Sequence, residues 1–272
     1  MKRLALVIAL GLALSACAAT TSPVSTAPPT GNAPTATAAA GNPTPGSTAA
    51  GQTAAAEQTS AAPATGSNVG ITQTFFQPWD SGFGSVNFNI VIEVKNTGGK
   101  PANIHSGDQS LTILATDGTV LATGTFDQEF PQILAPGEFG YYIVQGQFDQ
   151  GTKLTDVGKL QPSLSFSDSD KPAPPAWQFS SVKVDAADYT GGIQVSGIVK
   201  NTDTVDATMG MVAVVLFDAN GKILGAVYDN VSVMNLRAGQ SKGFKTSYPP
   251  TPKFDPTAVA SYKTFGLDYS FF

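Results

Sequence analysis

This chain of 272 residues holds one cysteine, Cys17, and one histidine, His105. That scarcity narrows its chemistry at once. A zinc site takes three or four ligands, mostly His or Cys, and no such set exists here. A single thiol makes no disulfide within the chain and no paired-thiol redox motif. His105 stands in "PANIHSGDQS", where Ser106 and Asp108 complete the residue types of a hydrolytic triad. Triads, however, are assembled from separate segments. Neighbours in one loop rarely point at each other, so His105 reads as a solvent-facing loop residue. Compact acidic groups occur only as "DSD" at 168–170 and "NTDTVD" at 201–206. Neither has the alternating ligands, glycine and terminal glutamate of a calcium loop. No carboxylate pair for glycoside hydrolysis stands out. No catalytic residue, no metal ligand and no cofactor is expected.

Aromatic side chains carry the remaining binding chemistry. Trp79 lies in "FFQPWDSGFGS", a stretch between two strand patterns. An aromatic there either anchors a partner or stacks on a sugar, or folds back over the end of a domain. Tyr141 and Tyr142 are adjacent. On a strand they face opposite sides, so at most one is exposed on a given face. Trp79, Tyr141 and Tyr142 are the candidate ligand or partner contacts. Trp177 follows a run of prolines and is expected to seal a joint between domains.

The elements that would carry these residues begin with an address. "MKRLALVIALGLALSAC" has a basic start, an apolar run and small residues before Cys17, the pattern of a secretory signal peptide at 1–16. The run is short of the roughly 20 residues of a spanning helix. Leu14, Ser15, Ala16 and Cys17 resemble the bacterial lipobox. That resemblance implies cleavage before Cys17 and a lipid on its thiol, with two acyl chains giving stable anchoring. The partner implied first is therefore a membrane, held through the N-terminal lipid. The expected location is the bacterial cell envelope, facing out of the cytoplasm. Without Lys2 and Arg3 the chain carries 13 basic and 20 acidic residues, a net −7. Such a surface argues against nucleic acid and against a polybasic grip on lipid.

Residues 18–68 are Ala, Thr, Pro, Gly and Ser with little else, and Glu57 is their only charge. So little apolar surface cannot offset the entropy of ordering, and 17–68 is expected to be a disordered linker. As a relaxed coil its ends would lie about 40 Å apart.

Two strand-rich units follow. "NIVIEVKNTGG" and "IQVSGIVKNTDT" share "VKNT" at an offset of 105 residues. "LTILATDGTVLA" matches "VVLFDANGKILG", "LAPGE" at 134–138 matches "LRAGQ" at 236–240, and "LSFS" matches "LDYS". One unit of about a hundred residues is thus written twice. In the first copy Val86, Phe88, Ile90, Ile92 and Val94 alternate with Asn87, Asn89, Glu93 and Lys95. That is a strand with one face in a core and the other outward. Asn ends each strand, because it tolerates left-handed dihedrals and bonds its own backbone. Asp117-Gly118 and Asn220-Gly221 are pairs preferred in tight hairpins.

The fold expected is all-β: two tandem immunoglobulin-like antiparallel β-sandwiches at 69–168 and 177–272, joined by a Pro-rich, semi-rigid hinge at 169–176. "GIVKNTDTVDA…VAVVLFDANGKILG…LRAGQSKGF" resembles the FxLYD domain, an immunoglobulin-like module of bacterial surface lipoproteins. The likeness covers most of 177–272 and less of 69–168, where "ILATDG" departs from the family's hairpin. It implies an extracytoplasmic binding, adaptor or display role and brings no catalytic residue. An envelope protein or a wall glycan fits as partner. The adaptor reading predicts no deep polar pocket, and an enzyme would need a site the sequence does not reveal, such as a carboxylate pair formed between the domains.

Overall fold

Strand-forming residues with turns at Gly, Asn and Asp give sixteen strands among the described residues. A computed structural model describes residues 65–272, apart from 106–108, 127, 174–175, 188–191, 230–231, 247–253 and 270–272. The signal peptide, the lipobox residues Leu14, Ser15 and Ala16, the lipidation candidate Cys17 and the linker to residue 64 lie outside the described residues. So do Ser106 and Asp108.

The first sandwich contains β1 (Val69–Asp80), β2 (Val86–Asn96), β3 (Ala102–Asn103), β4 (Ser110–Ala115), β5 (Val120–Gly124), β6 (Glu129–Phe130), β7 (Ile133–Leu134), β8 (Phe139–Gln147), β9 (Val157–Ser163) and β10 (Ser167–Asp168). Its sheets run β1-β2-β8-β6, β5-β4-β9 and β10-β3-β7. The second contains β11 (Gln178–Ala186), β12 (Ile193–Lys200), β13 (Gly210–Phe217), β14 (Ile223–Asp229), β15 (Ser241–Lys245) and β16 (Ser261–Asp268). Its sheets run β11-β12-β15 and β14-β13-β16. All pairings are antiparallel.

Each sandwich has its own core. Phe88, Ile90, Ile92 and Val94 of β2 meet Leu111 and Ile113 of β4 in the first. Val195 and Val199 of β12 meet Val212, Val214 and Leu216 of β13 in the second. A third core lies between them. Val91, Phe130, Tyr141 and Ile143 pack on Met211, Ala213, Val215, Phe217 and Leu267. The sheet of β2 thus packs its second face on the sheet of β13, and four of the five sheets stack in one compact unit.

This corrects two expectations. The segment 169–176 does not hold two domains apart, because they share a buried apolar face. Nor does the polar face of β2 meet water. Asn87, Asn89 and Glu93 are buried, and side-chain amides on that face hold the second sandwich. Asn89 Nδ2 and Gln145 Nε2 both donate to the Ala226 carbonyl at 2.9 Å. Gln73 Nε2 donates to Gly221 O at 3.0 Å, while its Oε1 accepts from Ile223 N at 3.3 Å. The amide face serves as a partner for β14, whose backbone would otherwise be buried without bonds.

Two smaller differences follow from local geometry. The Asp-Gly and Asn-Gly turns are longer than two-residue hairpins. Ala115 N bonds Thr119 O and Asp218 N bonds Lys222 O, with Gly118 and Gly221 at φ of 88° and 75°. That is a type I turn closed by a left-handed glycine, the next most common hairpin. The ordered body also starts before residue 69. Thr97 N bonds Asn68 O, Gly99 N bonds Gly66 O, and Ser67 donates to Asp168 through both N and Oγ.

Candidate functional site

The two acidic segments, far apart in the chain, come together in space. A cleft of about 570 Å³ lies between the sandwiches. "DSD" supplies Asp168, Ser169 and Asp170, and "NTDTVD" supplies Asn201, Asp203, Val205 and Asp206. Asp268, at the end of β16, makes a fifth aspartate, against the single cation Lys171. Ile133, Trp177 and Leu267 give the lining its apolar part.

Local bonds fix these carboxylates. Asp206 Oδ1 accepts from Ala238 N at 2.8 Å, and Asp203 Oδ1 from Thr204 N at 2.6 Å. Asp268 Oδ1 accepts from Met209 N at 3.0 Å. Asp168 accepts from Ser67 N and Oγ at 2.8 and 2.6 Å, with Lys100 Nζ at 3.5 Å. The Ser67 bonds, then Lys100, hold the Asp168 carboxyl below the usual carboxylate range. An acid so held gives up no proton at neutral pH. Among the described residues, no three His, Cys, Asp or Glu side chains converge to hold a metal ion.

Trp177 is 8% exposed and lies against β13 and β16. A Cβ on Gly266 would stand 2.3 Å from its Cε3, so only glycine admits the indole there. Gln132 lies in the cleft wall, 8% exposed, and its buried Nε2 has no hydrogen-bond partner among the described residues. An unpaired buried donor is costly, about 1–3 kcal/mol. No family model matches this chain, and no curated protein does.

The candidate contacts chosen from sequence lie elsewhere, inside the protein. Tyr141 and Tyr142 are fully buried and Trp79 is 8% exposed. Tyr142 enters the core of the first sandwich, where its hydroxyl donates to Ile104 O at 2.6 Å and accepts from Gln109 Nε2 at 3.0 Å. Tyr141 points into the third core and donates to Glu93 Oε2 at 2.6 Å. Burial pushes both phenols well above the ordinary tyrosine value. None of the three offers a ring face for a sugar. The exposed aromatic of that hairpin is Phe83, 94% exposed in a turn where Asp80 Oδ1 accepts from Gly82 N and Ser81 Oγ bonds Ser85 Oγ.

His105 is not a plain loop residue either. Its Nδ1 stands 3.0 Å from Glu129 Oε2, with the carboxylate side chain 1% exposed. The pairing partner comes from β6, which no local reading around His105 reveals. Gln132 gives no sequence signal either. The acidic segments did, through their composition.

Proposed function

We propose that this chain is a lipid-anchored extracytoplasmic bacterial protein with a non-enzymatic binding or adaptor role. The observation that carries the reading is the junction cleft, to which both repeats contribute. It also sets aside the expectation of no deep polar pocket. Four of its five aspartates, Asp168, Asp203, Asp206 and Asp268, act as loop fasteners that accept backbone or side-chain bonds, and Asp168, the one with a displaced value, is held ionised.

The strand order supports immunoglobulin-like modules related to the FxLYD domain. In both copies a leading hairpin pairs with a later strand in one sheet, β1-β2-β8 and β11-β12-β15. A second hairpin pairs with the last long strand in the other, β5-β4-β9 and β14-β13-β16. That recurrence is consistent with the Greek-key order of immunoglobulin-like sandwiches. The anchor rests on Leu14, Ser15, Ala16 and Cys17, with "MKR" and the apolar run before them. A wall-glycan role for Trp79, Tyr141 or Tyr142 has no exposed ring to support it.

The test is metabolic labelling of the full chain with an alkyne fatty acid, followed by membrane fractionation. The wild type should carry label and sediment with membranes, and Cys17→Ser should do neither. Label or membrane retention in Cys17→Ser would refute the anchor. Residues 65–272 should lack hydrolytic turnover on wall fragments, and turnover lost in Asp206→Asn would refute the non-enzymatic role.

A further inference from the structure

We infer that the tip of the β1–β2 hairpin is a protein-docking element, with Phe83 entering an apolar pocket of an envelope protein whose rim carries lysine or arginine. The inference deepens the binding role argued above and rests on it.

A single exposed apolar side chain is ordinary on a protein surface. Phe83 differs in how it is held. It is 94% exposed, more than any other large apolar side chain among the described residues. The turn that carries it is closed by Ser81 N to Ser85 O at 2.9 Å and by the two hydroxyls of Ser81 and Ser85 at 2.7 Å. Gly82 N donates to Asp80 Oδ1 at 2.8 Å, and Phe83 N to Ser81 Oγ at 3.2 Å. Gly82 and Gly84 flank the ring at φ of 78° and 77°, a backbone that other residues resist. A Cβ at either glycine would meet no atom within 4 Å, so the tip stands clear of the body. At the base of the hairpin Trp79 is buried and braces it. The ring of Phe83 packs in neither sandwich, so the fold does not account for it. An aromatic already held in place loses little freedom on binding, and aromatic anchors in pockets carry much of the energy of an interface.

Two observations choose the occupant. The first is position. Val69, at the far end of β1, pairs with Asn96, and the chain enters the body there through Gly66 and Asn68. From Val69 to Asp80 is roughly 36 Å at about 3.3 Å per residue. The expected anchor at Cys17 therefore joins one end of the hairpin, and Phe83 stands at the other. A body drawn to the bilayer by that anchor presents Phe83 away from it. The second is charge. Exposed Asp80 opens the turn, and the loop after β8 returns beside it, with Phe148 N bonding Val86 O at 2.8 Å. That loop brings Asp149, Asp156 and Lys153. Three carboxylates to one ammonium repel anionic lipid, anionic wall polymer and a second copy of this acidic chain. They favour a partner with a basic rim.

The test places p-benzoylphenylalanine at position 83 of the full chain in its native cells, and separately at Val205 in the junction cleft. Ultraviolet light joins that side chain to whatever it touches, and mass spectrometry sequences the joined peptide. Position 83 should give an adduct with one envelope protein, at a peptide of apolar residues with Lys or Arg. Purified wild-type chain in detergent should compete for the adduct, and Phe83→Ser should need about tenfold more. Asp80→Asn with Asp149→Lys should lower the yield roughly threefold, and asparagine keeps the Oδ1 acceptor of the turn. Both variants should melt as the wild type does, since all three side chains are exposed.

No adduct from position 83 overturns the inference. So does an adduct with lipid, with wall polymer, with a second copy of this chain or with an acidic peptide. Equal competition by Phe83→Ser, or a yield that ignores the charge changes, overturns it too. The outcome is separable from that of the adaptor reading. An envelope protein joined from Val205 and none from position 83 leaves the adaptor role standing and sinks the docking tip. The expected adduct from position 83, together with turnover on wall fragments that Asp206→Asn abolishes, leaves the tip standing and sinks the non-enzymatic role.

Discussion

Asn96 and Asn201 occupy the same position in the two repeats and make the same bonds. Asn96 Nδ2 donates to Lys100 O and Leu134 O at 2.8 and 3.0 Å, and its Oδ1 accepts from Gly98 N at 2.9 Å. Asn201 Nδ2 donates to Val205 O and Leu236 O at 2.9 and 3.1 Å, and its Oδ1 accepts from Asp203 N at 2.9 Å. Both side chains are buried. Each backbone also pairs with the later turn: Asn96 with Gly137 and Glu138, Asn201 with Gly239 and Gln240. The turn in turn is closed by its own side chain, Ala135 N to Glu138 and Arg237 N to Gln240. "VKNT" recurs together with "LAPGE" and "LRAGQ" because one asparagine fastens the strand end to that turn. Neither asparagine has a positive φ, so left-handed backbone is not the reason.

Truncating either asparagine should therefore be costly. Asn96→Ala or Asn201→Ala takes the side-chain partner from two carbonyls and one N–H, the Leu134 or Leu236 carbonyl among them being buried, a loss of about 2–3 kcal/mol. Asn→Asp should be worse, since a carboxylate donates no bond and buries a charge. Urea unfolding of all four variants measures this. Losses below about 0.5 kcal/mol would show that the shared geometry carries little energy.

The third core makes the two sandwiches one cooperative body. Residues 65–272 should unfold in a single calorimetric transition. Ala213→Glu puts a carboxylate into the shared face while leaving each sandwich's own core intact. It should split the transition in two. Two transitions in the wild type would mean that the shared face couples the sandwiches too weakly to matter.

Lys263 brings a charge to that face. Its Nζ lies 2.7 Å from Tyr141 Oη and 4.3 Å from the centre of the Phe139 ring. Burial lowers its value from the ordinary lysine range, and Glu93 acts against that. A base depressed in the fold contributes stability that grows as pH rises through the lowered value and is complete above about 10.4. Tyr141 acts oppositely, since its raised phenol contributes fully below about pH 10 and the contribution is lost as pH rises further. At pH 7 the partly buried ammonium is a cost, so Lys263→Met should be neutral or raise Tm. Tyr141→Phe should lose about 1–2 kcal/mol, because Glu93 keeps its burial and loses that donor. A Tm drop in Lys263→Met larger than in Tyr141→Phe would reverse this ranking.

The duplication, the strands and the two acidic segments are patterns that lie along the chain, whereas the meeting of those segments is not. The shared face is harder to read. Alternation in β2 reports one apolar face and says nothing of what covers the other. Asn87, Asn89 and Glu93 look solvent-bound until a second sandwich supplies backbone for side-chain amides. Tyr141 and Tyr142 mislead for the same reason, each side of β8 having a core. One signal was available. "GMVAVVLF", β13, has no polar face at all, and a strand apolar on both sides must be covered on both. Gln132 had no such signal, because an unpaired amide is a property of its surroundings.

The junction between linker and first sandwich should respond to acid. Ser67 donates twice to Asp168, and these bonds depress the carboxyl. A depressed acid contributes stability present above its unfolded value, about 3.9, and lost as pH falls through the lower folded value. The Ser67 amide should therefore keep its shift down to pH 4 and lose it only below that. Asp168→Asn should remove the step, since an amide does not titrate there. The Ser67 amide resonance in a two-dimensional NMR titration reads both. A step at or above the ordinary carboxylate value would mean that Ser67 does not hold Asp168 in solution.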